Sequence, residues 1–302
     1  MSCLNADSSG RGSPQGCGPP WARTIVAMKS FEVMGILNVT PDSFSDGGLW
    51  LDPDAAIAHG LELEAQGASI IDVGGESTRP GAEPVSVDEE IRRVQPVVEG
   101  LSRSLSSARI SIDTVKAATA AAALEAGATI INDVTAFTGD PDMLSVAAAS
   151  DCQICLMHMQ GEPRTMQSNP TYVDVVADVA AYLQVQVEGL ESAGIDPGRV
   201  WLDPGIGFGK TVGHNLELLN RLDELVALGH PVLVGTSRKS FIGKITGSEA
   251  DDRLAGTLAS ITIALERGVK IFRVHDVGPT VQALTVAAAT LRGNQWEAEA
   301  SE

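Results

Sequence analysis

The sequence predicts an α/β fold, a single (β/α)8 barrel of the TIM type. Eight short β-rich runs recur along the chain, and helical signals lie between them. Nearly every run also carries a polar residue at its carboxyl end. An open doubly wound sheet would show about five or six strands, so eight units in succession favour the closed barrel.

The predicted strands are short continuous apolar runs, such as "SIIDVGG" and "RISIDT". Runs of this kind are buried on both faces, and with helices between them they are typical of a parallel sheet. In chain order the strands begin at Phe31, Ser69, Arg109, Thr129, Gln153, Val200, Val232 and Lys270.

Six segments between the strands carry clear helix signals. In "DPDAAIAHGLELEAQG", Asp52 is a predicted N-cap, Pro53 suits the first turn and Gly67 ends the helix. "SVDEEIRRVQPVVEGL" opens with Ser86 and acidic residues, which stabilise a helix N-terminus. The other four are "KAATAAAALEAG", "YVDVVADVAAYLQVQVEGLESAG", "HNLELLNRLDELVALG" and "DRLAGTLASITIALERG".

One barrel domain is expected over residues 31–293, with tails at 1–30 and 294–302. The chain has 302 residues and is 44% apolar, which suffices for one large core. The first tail is rich in Gly, Ser and Pro and has no continuous apolar segment, so it predicts disorder rather than a secretion signal. Met28, just before the first strand, is an alternative start site.

Composition argues against several classes of partner. The net charge of −18 disfavours a nucleic-acid surface, which needs clustered Lys and Arg. No apolar run approaches the roughly 20 residues that span a bilayer, so no membrane association is expected. Four cysteines predict a reducing compartment, the cytoplasm. Cys152 and Cys155 have CxxC spacing, but their apolar surroundings favour core packing over a metal or redox site.

The polar residues at the strand ends are the candidate functional groups. In a barrel of this type, the carboxyl ends of the strands converge on one face, where active sites form. For Asp72 and Asp133, a purely structural role as a cap or loop anchor is an equal alternative. The full set is Asn38, Asp72, Asp113, Asn132, Asp133, His158, Asp203, Ser237, Arg273 and His275.

These groups sort by the chemistry that they can bind. Asp113, Asn132 and Asp203 match a flat heterocycle with an amino-amide edge, such as a pterin or guanine, because carboxylates accept from ring N–H groups and a carboxamide both donates and accepts. A second, basic set suits a phosphate or diphosphate. It comprises Arg79, Lys239 and Arg273, with His275 and Asn38 beside them.

The sequence leaves the chemical roles of Asn38 and His275 more open. Asn38 offers a hard oxygen for Mg²⁺, which takes few protein oxygens beside phosphates and waters. His275 suits either proton transfer or a neutral donor to phosphate. "GIGFGKT" resembles a phosphate-binding P-loop, but three residues stand between Gly205 and Gly209 where that motif requires four.

Eight motifs in register resemble bacterial dihydropteroate synthases, over about residues 33 to 291. They are "MGILNVTPDSFSDGG", "IDVGGESTRPGA", "SIDT", "INDV", "LMHMQGEPRTMQ", "LDPGIGFGKT", "VLVGTSRKSFIG" and "RVHDV". The resemblance implies a cytoplasmic homodimeric transferase of folate synthesis that requires Mg²⁺. Its small-molecule substrates would be (7,8-dihydropterin-6-yl)methyl diphosphate and 4-aminobenzoate, and its products dihydropteroate and diphosphate.

The resemblance also implies roles for individual residues. The pterin site would comprise Asp113, Asn132, Met157, Asp203, Lys239 and Arg273. The 4-aminobenzoate site would comprise Thr78, Pro80, Phe208, Lys239 and Ser240. Diphosphate would contact Asn38, Arg79, Arg273 and His275, with Asn38 also on the metal. The catalytic set would be Asn38, Asp46, Arg79, Lys239, Arg273 and His275, with Asp46 ordering the closed site from the mobile loop "DSFSDGG".

Two alternatives remain at the level of sequence. Pterin methyltransferases share the barrel, but "ESTRPG", "SRKSFIG" and "RVHD" favour diphosphate and aminobenzoate recognition. A non-catalytic pterin-binding paralogue is disfavoured by the complete basic set. Because the resembling family includes sulfonamide-insensitive members, sensitivity of this chain to sulfonamides stays open.

Overall fold

The computed structural model describes residues 31–40, 52–77, 84–161 and 166–293. The two predicted tails lie outside the described residues. Within them, the eight predicted strands are confirmed. They are β1 (Glu32–Asn38), β2 (Ile70–Gly74), β3 (Arg109–Asp113), β4 (Ile130–Asp133), β5 (Gln153–Met157), β6 (Val200–Asp203), β7 (Leu233–Val234) and β8 (Ile271–Val274).

The strands form one parallel sheet in the order β6-β5-β4-β3-β2-β1-β8-β7. Strands β6 and β7, at the two ends of this order, meet through a single parallel bridge between Leu202 and Val232. At that point the backbone N–H of Leu202 donates to the carbonyl of Pro231 at 2.9 Å. The sheet is thus a barrel whose last seam is much shorter than the others, and the barrel prediction is confirmed.

Helices pack around the barrel between the strands. They are α1 (Pro53–Ala65), α2 (Val87–Ser104), α3 (Ala117–Ala126), α4 (Met143–Ala148), α5 (Val175–Ser192), α6 (Val212–Asn220), α7 (Leu222–Val226), α8 (Ser240–Thr246), α9 (Leu254–Glu266) and α10 (Val277–Arg292). Two 3-10 turns cover Pro197–Arg199 and Ala250–Asp252. Among the described residues, none of the helices is long and apolar enough to span a membrane.

The predicted helix caps form as expected. The Asp52 carboxylate accepts from the N–H of Asp54 at 3.0 Å, and the Ser86 hydroxyl accepts from the N–H of Glu89 at 3.3 Å. Gly67 follows α1 with a φ of 104°, a left-handed conformation that favours glycine. The helix signals therefore mark real helix ends.

The structure differs from the six predicted helical segments in two ways. The segment from His214 is broken into α6 and α7 at Arg221. Helices α4, α8 and α10 also form, at places where a helix was expected after each strand but no individual segment was specified, and α4 and α8 are too short to show a period. In α10, Gly278 and Pro279 stand in the first turn, where Pro is tolerated.

Side chains along each strand point alternately outward and inward, so the protein has an outer core under the helices and an inner core inside the barrel. Outward residues such as Leu37, Ile71 and Ile112 pack with the surrounding helices. A separate inner cluster fills the barrel, consisting of Met34, Ile70, Ile130, Cys155, Trp201, Leu233 and Ile271. Both Cys152 and Cys155 are buried and carry free thiols.

The amino-terminal end of the barrel is closed by a polar group around Arg109. Its guanidinium pairs with Glu32 and Gln153 and lies 5.3 Å from the centre of the Trp201 ring. Since Arg109, Ser111 and Asp113 alternate along β3, the same inner face carries Arg109 at one end and Asp113 at the other. The carboxyl end of the barrel is left for the candidate functional groups.

Candidate active site

The inner face at the carboxyl ends of the strands collects most of the predicted groups. Asp72, Asp113 and Asn132 are buried there on the neighbouring strands β2, β3 and β4, and Asp203 is buried at the end of β6. Met157 pairs in register with Asp203 and is also buried. Because inward positions alternate along each strand, the inward residues near the carboxyl ends come to the same opening.

Arg273 of β8 joins the acidic groups across the barrel. Its Nε donates to Asp72 Oδ2 and its Nη2 to Asp113 Oδ2, both at 2.6 Å. The Asn132 amide donates to the same Asp72 oxygen at 3.2 Å. The four side chains therefore form one hydrogen-bonded network inside the mouth.

The two aspartates whose role was open have different functions. Asp133 faces outward and anchors the following loop, since its carboxylate accepts from the N–H groups of Thr135 at 2.7 Å and Phe137 at 3.1 Å. Ala136 and Phe137 have φ values of 50° and 66°, so the carboxylate holds a left-handed turn. Asp133 is structural, whereas Asp72 belongs to the network in the mouth.

Burial and charge shift the pKa values of the network. Burial raises the pKa of Asp113, and the Arg273 guanidinium opposes that change. Burial likewise raises the pKa of Asp203, opposed by Lys239. Burial favours the neutral form of Arg273, but Asp72 and Asp113 outweigh it and raise the pKa of the guanidinium. Perturbed carboxylates in a cleft are typical of functional sites.

Lys239 lies between the acidic network and the glycine-rich loop after β6. Its Nζ donates to the carbonyl of Ile206 and lies 4.6 Å from the centre of the Phe208 ring. Burial lowers the pKa of Lys239 to about 8, and Asp203 opposes the change. Ser240 follows as the exposed first residue of α8, so Phe208, Lys239 and Ser240 share one side of the mouth.

His275 is held by Ser237 from the neighbouring β7 loop. The Ser237 hydroxyl accepts from the backbone N–H of His275 at 3.2 Å and lies 2.9 Å from its Nδ1. Arg238, at a φ of 57°, forms two hydrogen bonds with Asp276 at 3.0 and 2.6 Å. The loops after β7 and β8 are therefore locked together, a role for Arg238 and Asp276 that the sequence did not indicate.

Asn38 ends β1 close to the acidic network. A Cβ added to Gly74 would lie 3.8 Å from Asn38 Oδ1 and 3.7 Å from Asp113 Oδ2, so the glycine leaves space between these oxygens. No cluster of three or more His, Cys, Asp or Glu ligands occurs within the described ranges. An amide oxygen beside a carboxylate fits Mg²⁺ held mainly by phosphate oxygens and water.

Four predicted residues lie outside the described residues: Asp46, Thr78, Arg79 and Pro80. The chain on either side of the last three is anchored. Glu76 accepts from the N–H of Val85 at 3.3 Å and pairs with Lys116, which also contacts the buried Glu90 at 2.7 Å. This cluster was not predicted, since its members come from three separate elements.

His158 and Lys210 form a buried pair beside the mouth. Lys210 Nζ lies 3.0 Å from His158 Nδ1. Burial, followed by the charge of Lys210, lowers the pKa of His158 to about 3, so the imidazole is neutral. In the sequence, Lys210 lies in the segment that resembles a P-loop without matching it, so no role was predicted for it. The glycines around Lys210 were the one signal that the backbone packs closely there.

Comparison with known proteins agrees with this geometry. Residues 34–275 match the model of the pterin binding enzyme family. The dihydropteroate synthase of Escherichia coli K12 is 49% identical over 263 residues, which cover 87% of this chain and 93% of that protein.

Two solved structures share the fold. The Yersinia pestis dihydropteroate synthase with a sulfonamide drug has a TM-score of 0.83 and 45% identity, covering 87% of this chain and 94% of that one. The Xanthomonas albilineans dihydropteroate synthase with 4-aminobenzoic acid has a TM-score of 0.81 and 48% identity, covering 87% and 93%. With its barrel, its acidic network and its matched motifs, the chain belongs to the dihydropteroate synthase family of pterin binding enzymes, transferases of folate biosynthesis.

Proposed function

We propose that the chain joins (7,8-dihydropterin-6-yl)methyl diphosphate to 4-aminobenzoate and releases 7,8-dihydropteroate and diphosphate. The observation that carries this proposal is the meeting of buried Asp113, Asn132 and Asp203 with Lys239 and Arg273 in one barrel mouth. The carboxylates and the amide suit the amino-amide edge of a pterin, and the cations suit a diphosphate.

Two unsatisfied buried atoms support a polar ligand in this mouth. Asp72 Oδ1 and Ser111 Oγ have no hydrogen-bond partner among the described residues, although both side chains are fully buried. The two residues are neighbours in the register of β2 and β3. An unmet buried polar group costs about 1–3 kcal/mol, so a hydrogen-bonding heterocycle or an accompanying water would recover that energy.

Departure of diphosphate is the step that the basic groups would assist. Negative charge grows on the leaving group while positive charge grows on the methylene carbon of the electron-rich dihydropterin. Arg273 and His275 would stabilise the departing charge together with Arg79. Ser237 suits a neutral His275 that accepts at Nδ1 and donates to phosphate from Nε2. Mg²⁺, held by Asn38 and the diphosphate, would supply further charge neutralisation.

The amine of 4-aminobenzoate would then bond to the methylene carbon. We propose that its ring packs against Phe208 and the alkyl stem of Lys239, beside Ser240; Thr78 and Pro80 belong to the same site by resemblance. The C–O bond to diphosphate breaks, the C–N bond forms and the amine loses one proton. No covalent nucleophile is needed, and Asp46 would help to exclude water that could trap the cation.

The test is diphosphate release by purified protein with both substrates and Mg²⁺. Turnover that needs 4-aminobenzoate supports the proposal, and methyl transfer from a reduced folate in its place would overturn it. Pterin binding without turnover would instead identify a non-catalytic paralogue. Adding a sulfonamide to the same assay decides whether this chain is drug-sensitive.

A cytoplasmic homodimer is the proposed working form. The buried free thiols Cys152 and Cys155 suit a reducing compartment. Three large apolar side chains are exposed on the packed helices α9 and α10, namely Ile263, Val286 and Leu291, and we propose that they lie at the dimer interface. Light scattering in solution tests the dimer, and one copy per particle would contradict it.

A further inference from the structure

The glycine-rich loop Gly205–Gly209 is held by side chains from separate parts of the fold. Four consecutive carbonyls, those of residues 206 to 209, each accept a hydrogen bond from a different side chain. In order, the donors are Lys239, Gln167 at 2.6 Å, Lys210 at 3.0 Å and Tyr172 at 2.7 Å. The fifth carbonyl of the loop, that of Gly205, accepts from the backbone N–H of Phe208 at 3.0 Å.

Two N–H groups of the loop also bond to side chains. Gly205 donates to Asp203 Oδ1 at 2.7 Å, and Gly207 donates to Asn215 Oδ1 at 2.7 Å. A Cβ on Gly205 would lie 1.9 Å from the carbonyl oxygen of His158, and the φ of this glycine is 66°. The loop therefore packs so closely against the residues after β5 that a side chain at position 205 would not fit.

Lys210 connects the loop to a neighbouring segment. Besides the carbonyl of Phe208, its Nζ contacts His158 Nδ1 at 3.0 Å and the carbonyl of His158 at 3.3 Å. Three potential acceptors therefore surround the Lys210 Nζ, and burial lowers the pKa of this amine to about 7. These contacts of the buried Lys210 join the loop to His158, the residue that follows β5.

Tyr172 attaches the far end of the loop. Its hydroxyl donates to the carbonyl of Gly209, while its ring packs against His214 at 4.9 Å and His158 at 6.0 Å between ring centres. His214 lies in the first turn of α6, so Tyr172 links the loop to a helix. The ring contacts are apolar and independent of the hydroxyl group.

We propose that Gln167, Tyr172 and Lys210 are positioning residues that hold the Phe208 ring against Lys239 and so set the affinity for 4-aminobenzoate. This inference rests on the proposed function, in which Phe208 contacts that substrate. The groups of the pterin edge lie on β3, β4 and β6, where regular sheet pairing holds them. The loop bonds to Asp203 through Gly205, its first residue, rather than through the carbonyls that Gln167 and Tyr172 hold. Loosening the loop therefore weakens 4-aminobenzoate binding and leaves pterin binding largely unchanged.

The test compares Tyr172→Phe with the matched control Tyr182→Phe. Tyr182 also packs on His158, at 5.0 Å between ring centres, but its hydroxyl bonds to Thr138 and not to the loop. Each variant loses one hydroxyl and keeps its ring. For Tyr172→Phe we expect the KM for 4-aminobenzoate to rise about threefold to tenfold, the usual effect of one lost hydrogen bond. The KM for the pterin diphosphate and kcat stay within about twofold, and Tyr182→Phe resembles the unaltered protein.

Gln167→Ala is a second variant, chosen because Gln167 is exposed and its loss does not threaten folding. It should raise the same KM in the same direction. Equal changes in the two substrate constants, a fall in kcat alone, or no change in either variant would overturn the proposal.

Hydrogen exchange separates failure of this inference from failure of the proposed function. The amides of residues 205–209 should exchange faster in Tyr172→Phe than in Tyr182→Phe, whether or not the protein turns over. If the unaltered protein is inactive while the exchange difference appears, the proposed function fails and the loop clamp remains. If turnover is normal and exchange is the same in both variants, the clamp fails alone.

Discussion

The Arg273 guanidinium donates to Asp113 at 2.6 Å, at the place where the proposed pterin edge binds. The same guanidinium holds Asp72 at 2.6 Å, so the acidic pair is organised by a cation from the opposite end of the chain. Binding of the pterin would therefore replace hydrogen bonds between Arg273 and Asp113 with hydrogen bonds from the pterin to Asp113, in a network that already exists without the ligand.

Asp113→Asn should weaken pterin binding about tenfold to a hundredfold, because hydrogen bonds to charged groups contribute about 1.5–3 kcal/mol. Titration calorimetry with the pterin diphosphate measures the effect. Asp133→Asn is the matched control, since Asp133 is as deeply buried but faces outward. The control should lower the melting temperature and leave pterin affinity unchanged. An equal loss of affinity in both variants would contradict the assigned roles.

Activity should fall as pH rises above about 8, because the lowered pKa of Lys239 lies there and the neutral amine no longer supplies charge. A profile of kcat/KM for the pterin diphosphate between about pH 6 and 10 shows this limb. Lys239→Arg keeps a cation at every pH in this range. The variant should lose activity overall but also lose the alkaline limb. Retention of the limb in the variant would assign it to another group.

Stability should fall as pH is lowered from about 6.5 to 3, in part through His158. The pKa of His158 is lowered to about 3 in the folded protein, so the unfolded chain binds more protons across that window. His158 thus contributes stability that is fully present above pH 6.5 and is lost as pH falls. His158→Gln should flatten the dependence of the urea midpoint on pH. An unchanged slope would mean that His158 is not the group responsible.

Lys116→Met should destabilise the protein by about 3–5 kcal/mol, since it leaves Glu90 as an unpaired buried charge. Adding Glu90→Gln should restore a large part of the loss, because the charge is then removed. Urea unfolding of both single variants and the double variant gives the coupling energy. Simple addition of the two single effects would show that the pair is not coupled.

The barrel could be predicted from sequence because its strands are short and mainly apolar and nearly every run carries a polar residue at its carboxyl end. The same alternation separates Asp72 from Asp133, which lie at inward and outward positions of their strands. The pairing of Arg273 with Asp72 could not be predicted, because 201 residues separate them and nothing local specifies the contact. The carbonyl contacts of Gln167 and Tyr172 depend equally on how two loops meet, which no periodicity reveals.

The barrel consists of a continuous hydrogen-bonded ladder from β6 through β1 to β7, and it is closed by the short seam between β6 and β7, which acts as a joint. Asp113, Asn132 and Met157 stand on the continuous ladder from β3 to β5, whereas the loop of Phe208 and the loop of Lys239 leave from the two sides of the joint. Small displacements at this joint break few sheet hydrogen bonds. Substitutions in the two loops that leave this joint should therefore cost little folding stability, whereas those at Asp113 and Asn132 would act on a continuous ladder.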